Sequence, residues 1–272
     1  MIDTHAHLDF ENYNDDRDKV IKRFFKGGGK AIVNIGVDFK RNKKVIKLAQ
    51  ENEKLFAVIG FHPEGAGRVA VSEVKTSLVQ LLKEKEENKI VAIGEIGLDY
   101  FHNQENKKEQ KELFQSQLDL AIKYSLPVVV HCRDAYKDVL KILKKPQYKE
   151  LKVVMHCYMG NQKQTRDFLQ LPNLYFSFTG NITFADFGKY KNGKLVPEKA
   201  EIFRVIEQIP LEKIMAETDC PFLAPNPHRG KRNEPVFVRE VIKRLAKIKG
   251  LGFEEAERKT DDNAITFFKL FK

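Results

Sequence analysis

Short apolar runs and longer amphipathic stretches alternate along this chain. The runs fall at residues 1–7, 30–37, 54–60, 90–95, 127–132, 152–157, 174–180 and 213–219. Segments such as Ala31-Ile32-Val33-Asn34-Ile35 and Val128-Val129-Val130 are almost continuously apolar and β-branched. Strands covered on both faces, as in a parallel sheet, have this character. The stretches between them have helical spacing. In 105–124, Phe114, Leu118, Ala121 and Ile122 stand at i, i+4, i+7 and i+8. In 234–249, Val238, Val241, Ile242, Leu245 and Ile248 line one stripe, and 253–271 reads as a last helix. Strands alternating with helices mean a parallel sheet with crossover helices. Eight such units in 272 residues predict an α/β fold, a closed (β/α)8 TIM barrel, with 1–272 forming a single domain. No Gly-x-Gly-x-x-Gly follows the first run, which counts against a dinucleotide-binding sheet.

Composition adds limits. With 42% hydrophobic and 32% charged residues the chain can build a core, and it is not a disordered polyelectrolyte. No apolar run approaches the ~18 residues that span a bilayer. The start, Met1-Ile2-Asp3-Thr4-His5, lacks the basic and apolar regions of an export signal. Three cysteines (Cys132, Cys157 and Cys220) are too few for a disulfide framework. A cytoplasmic protein without a membrane partner is expected, acting as a monomer. The net charge of +10 permits an anionic partner. It is weak evidence alone, because 36 of the 48 basic residues are lysines spread along the chain.

The chemistry is concentrated where the apolar runs end. His5 and His7 are two apart in an extended segment, so their imidazoles point to one side. Glu95, His131, His156 and Asp219 close four other runs that have no other use for a polar side chain. One histidine at a strand end is usually a satisfied rim residue. Six ligand-type groups at the ends of runs one, four, five, six and eight would share the C-terminal mouth of a barrel. Unpaired there, they would carry a large desolvation penalty that metal ions remove. Four imidazoles and two carboxylates suit Zn, Mn, Co or Ni, with Mg kept open. Six ligands exceed the needs of one catalytic zinc. They suit two divalent ions about 3.5–4 Å apart sharing a carboxylate, with Glu95 the natural bridge. Strand alternation turns Cys132 and Cys157 away from the preceding histidines, so both are expected to pack the barrel.

These motifs, in this order, are recognisable. The chain resembles the TatD-type metal-dependent deoxyribonucleases of the amidohydrolase-like barrel superfamily. The resemblance rests on Asp3-Thr4-His5-Ala6-His7-Leu8-Asp9, Gly60-Phe61-His62-Pro63, Gly94-Glu95-Ile96-Gly97-Leu98-Asp99-Tyr100, Val130-His131-Cys132-Arg133, Met155-His156-Cys157-Tyr158, Phe178-Thr179-Gly180, Glu217-Thr218-Asp219-Cys220-Pro221-Phe222-Leu223-Ala224-Pro225 and Arg229-Gly230-Lys231-Arg232-Asn233-Glu234-Pro235. It spans nearly the whole chain. Small departures stand at Met159, where the family often has a small hydroxyl residue, and at Cys220, where it has Ala or Ser. The resemblance implies a binuclear barrel that hydrolyses nucleic-acid phosphodiesters through hydroxide held at the metals. By position, His5 and His7 would hold one ion, Glu95 would bridge, and His131 and His156 would hold the second. Asp219 would bind the first ion and touch the attacking water. His62 and Glu217 match positions near the pocket.

Substrate contacts are expected from the rim. The loop at 181–197 carries Lys189, Lys191 and Lys194, and that at 220–233 carries His228, Arg229, Lys231 and Arg232. Arg229 and Arg232 have the fork geometry for phosphate. Tyr100, Phe101 and Tyr158 are read as exposed rings for base stacking. His102 is a candidate to assist the leaving group, against a plain loop histidine. The leading expectation is a 3′–5′ exonuclease on single-stranded or frayed DNA, with RNA as a second substrate. The alternative is a hydrolase of a small ester, lactone or cyclic amide. A glutamate at Glu95, where many such barrels use a carboxylated lysine, favours the nuclease. A basic barrel that binds nucleic acid without chemistry is the third reading.

Overall fold

The computed structural model describes residues 1–184, 188–191, 194–197 and 200–271. Strands β1 (Ile2–Ala6), β2 (Ala31–Ile35), β3 (Leu55–Ile59), β4 (Ile90–Asp99), β5 (Val128–Arg133), β6 (Val153–Met155) and β7 (Leu174–Phe178) pair in chain order. The hairpin strands β8 (Gly188–Lys191) and β9 (Lys194–Pro197) form a separate antiparallel pair, and β10 (Ile214–Ala216) completes the main sheet beside β7. All main-sheet ladders are parallel. At the mouth, Asp219 N donates to His5 O (2.9 Å) and His7 N to Cys220 O (2.9 Å), joining the segment after β10 to β1. The expected (β/α)8 barrel is therefore the fold. The hairpin was read from sequence only as a loop. The side chains of Lys189, Lys191 and Lys194 lie outside the described residues.

Helices α1 (Arg17–Lys26), α2 (Phe39–Glu51), α3 (Val71–Leu82), α4 (Lys107–Tyr124), α5 (Tyr136–Leu143), α6 (Gln162–Phe168), α7 (Glu201–Gln208) and α8 (Val238–Lys249) follow successive barrel strands, and α9 (Phe253–Phe268) ends the fold. The expected stripe of α8 is buried, from Val238 through Ile248. The helix starts later than the pattern suggested, after a 3-10 turn at Pro235–Phe237. Helix α9 stops at Phe268 because Lys269 turns left-handed (φ 55°).

Apolar side chains from seven strands meet in one cluster: Ile2, Val33, Val58, Ala92, Val129, Val154 and Met215 are among them. Only the barrel lumen can gather that set. Ala264, Phe267 and Phe268 of α9 join it, so α9 plugs the lower end. The opposite faces of the strands pack against the helices in a second, larger cluster. Among the described residues no helix is long and apolar enough to cross a membrane.

One departure matters for the site. The fourth run was expected to end at Glu95, where the apolar residues stop. Instead β4 slips register between Ile93 and Ile96, then pairs onward from Ile96 with Val130 to Asp99 with Arg133. Such a bulge re-aims one side chain without ending the strand. Here it lies at Glu95.

Candidate metal centre at the barrel mouth

The six predicted groups come together. His5 lies in β1, with His7 just beyond it. Glu95 sits in the bulge of β4, His131 in β5, His156 directly after β6, and Asp219 after β10. Glu95 divides its two oxygens. Oε2 is 3.4 Å from His5 Nε2 and 3.8 Å from His7 Nε2. Oε1 is 3.0 Å from His131 Nδ1 and 3.1 Å from His156 Nε2. Asp219 Oδ1 completes the first set, 3.4 Å from His7 Nε2 and 3.8 Å from His5 Nε2. The Nε2 atoms of His5 and His7 are 3.1 Å apart.

The outer ring nitrogens fix the inner ones. His7 Nδ1 is 2.9 Å from Ile35 O, which can only accept, so Nδ1 donates. Glu217 Oε1 does the same for His156 Nδ1 at 3.1 Å, and Asp99 Oδ2 for His131 Nε2 at 2.9 Å. In each neutral imidazole the other nitrogen then carries a lone pair, and it faces Glu95 or Asp219. Lone pairs and carboxylate oxygens thus converge on the same space, and that space needs positive charge. This is the donor chemistry a divalent cation requires, with the outer partners orienting the ligands. The electrostatics of the cluster agree. Burial disfavours a charged His156, yet Glu95 and Glu217 hold it well above the ordinary imidazole value. His131 is likewise raised against burial by Asp99 and Glu95, and His7 by Asp219. Burial and the neighbouring His156 push His5 down. Glu95 is held well below the usual carboxylate range, since His156, His62 and His131 outweigh its burial. Asp219 is lowered too, burial being overcome by His7, His156 and His5.

Local sequence explains the convergence. Gly97 has φ +147°, and a Cβ there would lie 1.9 Å from His131 O, so only glycine lets β4 run this close beneath His131. Asp3 accepts from Thr218 N (2.9 Å) and from Thr218 Oγ1 (2.6 Å), tying β1 to the segment that carries Asp219. Burial pushes the Asp3 carboxyl up to about 8 despite these donors.

His62 plays a different part. Its Nδ1 accepts from Glu64 N (3.3 Å), so Nε2 carries the proton and points at Glu95 Oε1 from 3.5 Å. It is a donor at the edge of the cluster. The orienting role of Asp99 was not foreseen, because the predicted strand stopped short of it. That of Glu217 was readable only as proximity.

Several rim expectations need correction. Tyr100 is only 9% exposed, and its hydroxyl donates to Asp138 Oδ2 (2.7 Å). Tyr158 is fully buried, paired with Thr165 Oγ1. Neither ring is free to stack a base. Arg232 is committed internally: it bonds both oxygens of Asp16 (2.8 and 2.7 Å) and Glu234 (3.0 Å), and lies over the Tyr13 ring. Arg229 is exposed over Phe184. His102 is half-exposed, with Nδ1 2.9 Å from Asp99 Oδ2, so it reaches His131 only through Asp99. Cys132 and Cys157 were expected to pack away from the site. They line a cavity of about 390 Å³ together with His131, His156, Asp219, Arg133 and Met159. Cys157 turns left-handed (φ 45°) just after β6, which breaks the strand alternation. Larger clefts, such as one of about 700 Å³ lined by Ser72, Glu73, Gln80 and Glu84, hold no such ligand cluster among the described residues.

Comparison with known proteins agrees with this chemistry. The family model described as TatD related DNase matches residues 2–269. An uncharacterized metal-dependent hydrolase of Bacillus subtilis, YabD, is 37% identical, and the match covers 99% of each chain. A Salmonella typhimurium protein named as a 3′-5′ ssDNA/RNA exonuclease, TatD, is 29% identical, again over 99% of both. The crystal structure of YjjV, a TatD homologue from Escherichia coli K12, superposes with a TM-score of 0.87 at 28% identity, covering 99% of this chain and 98% of that one. The chain belongs to the TatD related DNase family of metal-dependent hydrolases.

Proposed function

We propose that this chain hydrolyses DNA phosphodiester bonds from the 3′ side of single-stranded or frayed ends, using two divalent cations. The observation that carries the reading is Glu95, whose two oxygens each face a pair of histidines. His5, His7 and Asp219 would hold one ion, and His131 and His156 the other, with Glu95 shared. Bound there, the pair supplies charge neutralisation for the anionic ester and a lowered pKa for water. The chain's own residues do the rest. Asp219, held ionised, orients the attacking water and accepts its hydrogen bond. His62 presents its Nε2 proton to a phosphate oxygen. Asp99 and Glu217 keep the imidazoles of His131 and His156 turned inward. Arg229 reaches for phosphate further along the strand. The named activity of the Salmonella relative supports the same substrate class.

The test is metal analysis of the purified protein beside digestion of end-labelled single and double strands, RNA and a neutral ester. Two equivalents of metal and a one-nucleotide ladder from the 3′ end are expected. Cleavage of the ester alone overturns the assignment.

A further inference from the structure

Five large hydrophobic side chains are exposed among the described residues: Phe101, Ile122, Met159, Phe222 and Phe271. Ile122 stands on α4 and Phe271 follows α9, both away from the metal-type ligands. The other three follow strand ends at the mouth. Phe101, 55% exposed, comes two residues after β4. Its ring carries the Arg133 guanidinium 4.1 Å from the centroid, and Arg133 lines the cavity beside His131. Phe222, 51% exposed, comes three residues after Asp219. It meets Phe10 edge-on at 5.9 Å, and Phe10 is 4.8 Å from the His7 ring and backed by Arg41 at 3.8 Å. Arg41 is spent on Asp9 and Glu11 and so serves as fixed backing. One ring with a cation thus stands beside the cavity that His131 lines, through Arg133, and an aromatic pair backed by a cation adjoins His7. These histidines face opposite oxygens of Glu95.

Two half-exposed rings flanking a polar mouth offer flat apolar faces to whatever enters it. We infer that Phe101 and Phe222 are stacking platforms for the two bases that flank the linkage being cut. This rests on the nuclease reading and gives its preference for unpaired ends a physical basis. Bases inside a duplex stack on each other, and freeing one costs a few kcal/mol, least at an end already frayed. Aromatic stacking is sequence-tolerant and lies at about 1–3 kcal/mol per base, which is about 5- to 150-fold in affinity. The guanidinium over Phe101 adds a cation–π contact and a positive charge for the adjoining phosphate.

The experiment measures anisotropy of a 3′-labelled oligothymidylate with phosphorothioate linkages, metal supplied. It compares this strand with the same strand bearing tetrahydrofuran spacers for its last two nucleosides, and with a blunt duplex. The proteins are wild type, F101A, F222A and I122A. F101A and F222A should each weaken the base-bearing strand about 5- to 150-fold. They should cost far less on the spacer strand, and I122A should bind as wild type does. F101L and F101W separate bulk from aromatic character: Trp restores binding and Leu does not. The inference falls if F101A and F222A bind like wild type, or if both strands lose equally. Wild type that binds no oligonucleotide at all overturns the nuclease reading instead.

Discussion

Replacing Glu95 by Gln keeps the shape of the side chain and removes its charge and one acceptor oxygen. In the native site Oε1 faces the inner ring nitrogens of His131 and His156, while Oε2 faces those of His5 and His7. An amide has one oxygen to offer. Its NH2 must turn toward one histidine set, where it donates to a lone pair and closes that half to a cation. Removing one partner from a buried charged cluster costs about 3–5 kcal/mol. At about 1.4 kcal/mol per decade, that weakens the affected ion by about 10²- to 10³·⁵-fold. The variant should then retain at most one equivalent of metal under conditions where wild type retains two. Its kcat on a single-stranded oligonucleotide should fall by at least about 10²-fold. Metal analysis after gel filtration and digestion of end-labelled strands measure both. Two equivalents of metal with kcat within tenfold of wild type would refute the sharing of Glu95 between two ions.

Gly97→Ala should lower stability by about 2–4 kcal/mol, adding backbone strain to a steric clash against His131 O, and should loosen metal held by His131; a melting midpoint within 2 °C of wild type would contradict this close approach. Chelation should lower the midpoint and metal should restore it: at a hundredfold excess over Kd the gain is about 2.7 kcal/mol, or about 5–10 °C, readable by scanning fluorimetry. Arg229→Ala should raise KM on oligonucleotides several-fold. Arg232→Ala should change KM little and lower the melting midpoint instead, because its guanidinium serves Asp16 and Glu234; the reverse ranking would restore Arg232 as a phosphate contact.

The barrel and the gathering of six ligand-type groups at its mouth were legible because each depends on local pattern. An apolar run ending in His, Glu or Asp states both the strand and the direction of its last side chain. What escaped depends on partners far along the chain. Tyr100 needs Asp138 to bury its hydroxyl, and Arg232 needs Asp16, which lies 216 residues away. Neither pairing leaves a trace in its own neighbourhood. Asp99 was hidden differently. A charged residue at Glu95 ends the apolar pattern, so the strand continuing through the bulge was unreadable, and with it the group that orients His131. The β8–β9 hairpin did leave a signal, Asn192-Gly193 between two short runs, which reading the stretch as a lysine-rich loop passed over.

Phe267 and Phe268 stopper the floor of the cylinder, leaving a single doorway. Under the proposed function, a strand being trimmed here could not thread through and exit below. The freed nucleotide would have to depart by the opening through which the polymer arrived, so the polymer would have to shift aside before its next residue could be seated.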